Sequence, residues 1–177
     1  MTSREDISHR LATLKAEFDA SFARPALRAE ARWEVLLRLR VGGSPLAVSL
    51  ERLAGVHALP RVVALPGSPP GLLGVAGLRG QLVAVHDLAA NLGLPSDENP
   101  GWLLLCDKDR HLGLAVGGFE GQLRVAPEQL LPCTDSAPRP FLNSTVLRPG
   151  EAPLPVLDIS SLADALLDGA SAPRASR

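Results

Sequence analysis

From Val35 onward the apolar residues recur at every second position, with Val35, Leu37, Leu39 and Val41 on one parity and Arg38 and Arg40 on the other. That period predicts a half-buried β-strand. Gly42-Gly43 supplies two residues suited to positive φ, and Leu46, Val48 and Leu50 then resume the alternation, so a tight hairpin is expected. Prolines at 60, 66, 69 and 70 mark loops, because proline lacks the N–H that a central strand requires. Gln81 to Leu88 carries apolar residues on both parities, the pattern of a strand covered on both faces. A short helix, about Ala89 to Leu92, is expected to stop at Gly93 and Pro95. A second cycle follows: strands at 102–106 and 112–116 around the polar turn at 107–110, then an alternating segment at 119–125. A last hairpin, Phe141 to Leu147 and Leu154 to Asp158, leads into a C-terminal helix with Ser161 and Asp164 as its capping box.

The chain opens differently. Ser3 and Asp6 form a capping-box start, and Ile7, Leu11, Leu14 and Phe18 follow at helical spacing up to Pro25. An N-terminal helical extension over 1–32 is therefore expected, its apolar stripe either packing on the domain that follows or binding a partner. The run after Asp168 is expected to be a flexible tail, 168–177. Between these ends, turn signals come too often for the long helices of parallel βαβ units. The pattern predicts two small antiparallel β-barrels packed together, with a groove between them.

Composition narrows the function classes. In 177 residues, 46% are hydrophobic and 21% charged, which suits a folded globular protein rather than a disordered one. The formal net charge of −1 provides no field to gather nucleic acid, and the absence of Tyr removes most stacking platforms. Cys106 and Cys133 form neither a disulfide framework nor a zinc spacing. The polar start has no secretory-signal character, and no uncharged run approaches the roughly 20 residues of a membrane helix. A cytoplasmic, not membrane-inserted protein is the expectation.

Residues 74–88 run GVAGLRGQLVAVHDL, and this segment resembles the CheW family of chemosensory coupling proteins. The family pattern is a glycine, a short apolar step, Asn-Leu-Arg-Gly, an apolar strand and Asp-Leu. Gly74, Val75, Leu78, Arg79 and Gly80 fall in register with its first part, and Val83, Val85, Asp87 and Leu88 with the rest. The hairpin to Val56, Pro69, the Gly113 to Val116 strand, the Ala126 to Leu130 turn and Leu154 to Leu162 keep the family's order, so the similarity covers residues 33–167. The resemblance implies a mainly β fold of two intertwined SH3-like five-stranded barrels, flanked here by an N-terminal and a C-terminal helix.

It also implies a non-enzymatic adapter without cofactors, coupling the tip of methyl-accepting chemoreceptors to the regulatory domain of a CheA-type histidine kinase. The contact residues it points to are Leu53, Val56, Val75, Leu78, Arg79 and Leu82, with Gly55, Gly77 and Gly80 shaping the surface. An arginine beside an apolar groove fixes carbonyls or a carboxylate through several donors, although Arg79 bracing its own loop is an equally open role. Gly74 and Gly80 are expected to be conformational. Three positions depart from the family: Gly55 replaces a Glu, Gly77 replaces the Asn, and Gly117 replaces an Asp of the second barrel. These changes leave open a localisation or polarity factor that binds the array without activating the kinase.

Catalytic and metal chemistry are not expected. His57, His86, His111 and Cys106 lack the spacings that pre-arrange metal ligands. His86 and Asp87 point to opposite faces of a strand, so they do not converge on one substrate, and Asp87 suits a helix N-cap. The glycines from Gly113 to Gly118 lack the lysine and the helix of a phosphate cradle.

Overall fold

The computed structural model describes residues 33–107, 111–133 and 140–171. The predicted N-terminal helix, the centre of the 107–110 turn and the last residues of the tail lie outside these. The described residues belong to one compact unit that begins at Trp33.

The alternation starting at Val35 becomes β1 (Glu34–Val41) and β2 (Ser44–Ser49), paired from Leu36↔Ser49 to Val41↔Ser44. Gly42 and Gly43 both have positive φ, 55° and 78°, as the primed hairpin turn demands. Leu37, Leu39 and Val41 are buried as predicted. Leu36, on the other face, is buried as well, so the start of β1 is covered on both sides. There follow β3 (Gly55–Ala58), β4 (Val62–Val63), β5 (Leu72–Leu78), β6 (Gln81–Asp87), α1 (Leu88–Asn91), β7 (Trp102–Asp107), β8 (Leu112–Val116) and β9 (Gly118–Val125). The chain ends with β10 (Leu130–Pro132), β11 (Leu142–Val146), β12 (Leu154–Leu157) and α2 (Ile159–Ser171).

These strands make two six-stranded sheets, ordered β10-β11-β12-β2-β1-β9 and β3-β7-β8-β6-β5-β4. The chain starts in the first sheet, builds all of the second and then returns, which is the intertwining expected of a pair of SH3-like β-units. Both sheets repeat one scheme. A hairpin (β1-β2 or β5-β6) sits beside a strand parallel to its second member (β12 or β8), and that strand continues antiparallel to the edge. Six strands replace the predicted five because the two-residue β4 and the three-residue β10 each find a partner.

The main core lies between the sheets. Leu37, Leu39, Val41, Leu46 and Val48 of the first sheet meet Leu104, Leu112, Leu114 and Val116 of the second, with Leu88, Ile159 and Leu162 from the helices. Each such side chain contributes about 1.5–3 kcal/mol of burial, so this shared interior ties the two units together. Smaller cores fill each unit: Leu36, Ala47, Val125 and Val146 in one, Ala76, Val85, Leu103 and Ala115 in the other.

Two local expectations change. The strand buried along its whole length is β8, not β6. Because β6 pairs with β8 only from Ala84↔Leu112, its first three residues project beyond that neighbour, and Gln81 and Leu82 are exposed. The C-terminal helix is capped by Asp158 rather than by Ser161 and Asp164. The Ser161 N–H donates to Asp158 Oδ1 at 3.1 Å, and its hydroxyl donates to Oδ2 at 2.7 Å. The helix also runs through Ser171, past the predicted start of the tail. Asp87 does cap α1, accepting from the Ala90 N–H at 3.2 Å.

Candidate partner-docking surface

The segment Gly74 to Asp87 is the β5-β6 hairpin, closed by the Leu78↔Gln81 pair. Arg79 (φ 49°) and Gly80 (φ 82°) form its turn, both left-handed. For Gly80 this is the conformational role expected. For Arg79 the left-handed region costs about 1–2 kcal/mol relative to glycine. Gly74, at φ 146°, sits at a bulge where a Cβ would overlap the Val63 carbonyl, so β4 approaches only because the side chain is missing.

Cross-strand partners share a face of a sheet, and this divides the predicted contact residues into three groups. Val63, Val75, Ala84 and Leu112 lie opposite one another across β4, β5, β6 and β8, and Gly77 lies opposite Leu82. At Leu112 this face is the inter-sheet core. Away from β8 the same face is open: Leu82 is 71% exposed and Val63 is 56% exposed. Val75, Gly77 and Leu82 thus belong to one apolar patch continuous with the interior. Among the described residues the edge beside it is also open, because β4 pairs only with Val75 and Ala76, leaving Gly77 and Leu78 without a neighbouring strand on that side.

Leu78 and Arg79 belong to the opposite face. There a cleft of about 360 Å³ opens at one end of the second sheet, walled by Leu78, Val83, Leu105 and Ala54. Arg79, Gln81, His57 and His111 supply its polar groups. Arg79 is exposed and makes no hydrogen bond or ion pair with any described residue, so it does not brace its loop. Gly55 stands beside the cleft on β3. A Cβ there would come 2.8 Å from Nε2 of His57, whose ring occupies the space a side chain at 55 would need.

Leu53 and Val56 form the third group. Both are half-buried and pack against the inter-sheet core. Leu53→Asp would therefore disturb the fold, and Leu82 is the cleaner surface probe. Gly117 has a structural role as well. A Cβ there would lie 2.6 Å from the Asp97 carboxylate, which accepts the Gly42 N–H at 3.2 Å. This glycine makes room for a carboxylate that steadies the first hairpin.

Sequence reasoning missed His57 and His111 as neighbours of Arg79. The i, i+2 spacing of Gly55 and His57 on a strand was the available signal, since it places both on one face. His86 is 9% exposed, its Nδ1 has no hydrogen-bond partner among the described residues, and burial pushes its pKa down. Asp158 is held below the usual carboxylate range, first by the Ser161 hydroxyl. Among the described residues no three His, Cys, Asp or Glu side chains are grouped to hold a metal ion, and no helix is long and apolar enough to cross a membrane.

Comparison with known proteins agrees with this architecture. The family model of the CheW-like domain matches residues 35–167. The probable chemotaxis protein CheW of Rhizobium etli is 30% identical over 100 residues, covering 55% of this chain and 64% of that protein, so the chain spans just under two thirds of that relative's length. The chemotaxis protein CheW of Klebsiella aerogenes is 25% identical over 114 residues, or 63% of this chain and 69% of that one. The crystal structure of the scaffolding protein TtCheW from Thermoanaerobacter tengcongensis superposes with a TM-score of 0.64 at 12% identity, covering 71% of this chain and 89% of that one. At that identity the likeness speaks to the fold alone. Since the matching model runs through well over half of the sequence and the two-sheet fold agrees with it, the chain belongs to the CheW-like family.

Proposed function

We propose that this protein is a non-enzymatic adapter of a bacterial chemosensory array, joining chemoreceptors to a CheA-type histidine kinase in the cytoplasm. The observation that carries this reading is the open continuation of the inter-sheet apolar face across β6, β5 and β4, with Leu82 71% exposed beside an unpaired strand edge. An interior face left uncovered beside a free edge has the character of a protein interface, with apolar anchors for affinity and backbone groups for register. The kinase's regulatory domain is assigned to this hairpin and the receptor tip to the groove between the two β-units. Membership of the CheW-like family supports both assignments.

Leu82→Asp places a charge at the middle of the patch without touching the core. Pull-down with the purified kinase should fall at least tenfold while the melting temperature stays near that of the parent. Undiminished binding would remove the patch from the interface. Gly55, with the His57 ring in its place, favours one alternative: a CheW-like localisation or polarity factor that docks without activating the kinase. A reconstituted phosphorylation assay with receptor, kinase and this protein separates the two readings, since only an activating adapter raises the rate.

A further inference from the structure

We propose that His86 is a proton-operated catch at the root of the β5-β6 hairpin: neutral, it seats the hairpin for docking a CheA-type kinase, and protonated, it leaves the interior and releases the hairpin. The docking half of this inference rests on the adapter reading given above.

His86 is out of place in its own strand. The family pattern runs from an apolar strand directly into Asp-Leu, and this chain puts an imidazole at the last position before Asp87-Leu88. His86 lies opposite Leu72 of β5 and Leu114 of β8, and Leu114, Leu88 and Ala89 belong to the inter-sheet core. Among the described residues it is the one buried polar side chain, and its Nδ1 has no hydrogen-bond partner there. A group buried without a partner weakens the fold where leucine or valine would not.

Its surroundings hold little to answer a charge. The bordering elements β5, β8 and α1 carry no titratable residue. Beyond β8, β7 turns the Cys106 thiol into the same interior, while the facing sheet presents Leu37, Leu39, Val41, Leu46 and Val48, and α2 adds Ile159 and Leu162. Arg38 and Arg40 are held on the other face of the first sheet by Glu120. Asp87 points away from His86 and caps α1, and His57 and His111 line the cleft on the opposite face of the second sheet. Desolvation therefore keeps the ring neutral at neutral pH, and an imidazolium formed on acidification must part β6 from its neighbours to reach water.

Position makes this residue a switch. Leu82, Ala84 and His86 share one face of β6, so the docking patch and the imidazole are the two ends of one row. At its root the hairpin is fastened to Gly71, whose carbonyl accepts the Asp87 N–H at 2.8 Å and Asn91 Nδ2 at 3.3 Å. Beside His86 the β5 register already shifts, between Leu72 and Gly74. A charge at 86 loosens the strand pair at this irregular point, and Val75 and Leu82 then lose their fixed spacing.

Two measurements on the full chain test the catch. The first is hydrogen exchange of the protein alone at pH 7.5 and pH 5, corrected for the intrinsic pH dependence of exchange. Protection of residues 72–87 should fall about tenfold more than that of residues 34–49, and His86→Leu should abolish this difference. His86→Gln, which also cannot titrate, replaces it if leucine disturbs the packing. Equal changes in the two hairpins, or a difference that survives in the variants, overturns the catch. The second is calorimetric titration with a purified CheA-type kinase over the same range. The parent's affinity should fall about tenfold toward pH 5, while that of His86→Leu stays level. A level profile in the parent, or an equal fall in the variant, overturns the proposal, the latter by assigning the titration to the kinase or to His57 and His111. If exchange behaves as expected but the unmodified chain fails to bind the kinase at pH 7.5, the adapter reading fails and the catch stands.

Discussion

The β1-β2 and β5-β6 hairpins have the same primed turn and the same place in their sheets, yet one is braced and the other is bare. Along β1 runs the eight-residue β9, and Arg38 and Arg40 reach across to its Glu120. The tip of that hairpin is held too, with the Gly42 N–H on Asp97 and the Pro95 carbonyl where a Cβ would otherwise be. Among the described residues, only the two-residue β4 runs along β5, and Arg79 at the tip has no hydrogen-bond or ion-pair partner. A shared topology therefore does not set exposure. The neighbour of the hairpin does, and here a proline-bounded β4 keeps that neighbour short.

The comparison can be broken most severely at the core both hairpins lean on. Leu114→Ala should cost about 2–5 kcal/mol and lower a single cooperative urea transition. Two separated transitions would show that the units are not joined by that interior. Next, alanine placed in the two turns should act unequally. Gly42→Ala drives a Cβ into the Pro95 carbonyl and should cost about 3 kcal/mol, whereas Gly80→Ala meets nothing within 4 Å and should cost only the left-handed penalty of about 1–2 kcal/mol. Equal losses in denaturant titrations would erase the contrast between the turns.

Smaller effects sharpen the picture. His86 is buried neutral in the second sheet, its pKa lowered by desolvation. The unfolded chain takes up that proton near pH 6.5, so this contribution is complete above that pH and is lost as pH falls toward the lower folded value. His86→Leu should flatten stability between pH 7 and 5, and an unchanged slope would place the titration elsewhere. Asp158→Ala removes the α2 cap and should cost about 1 kcal/mol, seen as early fraying in hydrogen exchange of residues 159–162. Because hydrogen bonds hold the Asp158 pKa down, this contribution is present above the ordinary carboxylate range and lost as pH falls through the lowered value.

Much of this fold was legible in the sequence because alternation and glycine pairs act over a few residues. The β1-β2 hairpin, the Asp87 cap and the second-cycle strands appear where the pattern placed them. What was not legible depends on neighbours distant in the chain. Leu82 and Val83 look alike as apolar strand residues, yet one is open and the other buried, because they lie on opposite faces of β6 and Val83 shares its face with the buried Ala76. How far Leu53 and Val56 are covered is set by β7 and the facing sheet, which their local pattern does not record. Gly117 resembled a lost polar contact until Asp97, twenty positions earlier, was found in its space. At Asp158 the strand pattern hid the cap, since this residue is the single link between β12 and α2.

The crossing of the chain between sheets also sets the order in which a ribosome delivers them. Every strand of the second sheet lies within residues 55–116, whereas the first sheet waits for β12 at 154–157 to pair with β2. During synthesis the β1-β2 ribbon is thus left with an unclosed flank until β12 has been made, and its greasy residues have only the newly made middle of the protein to shelter against.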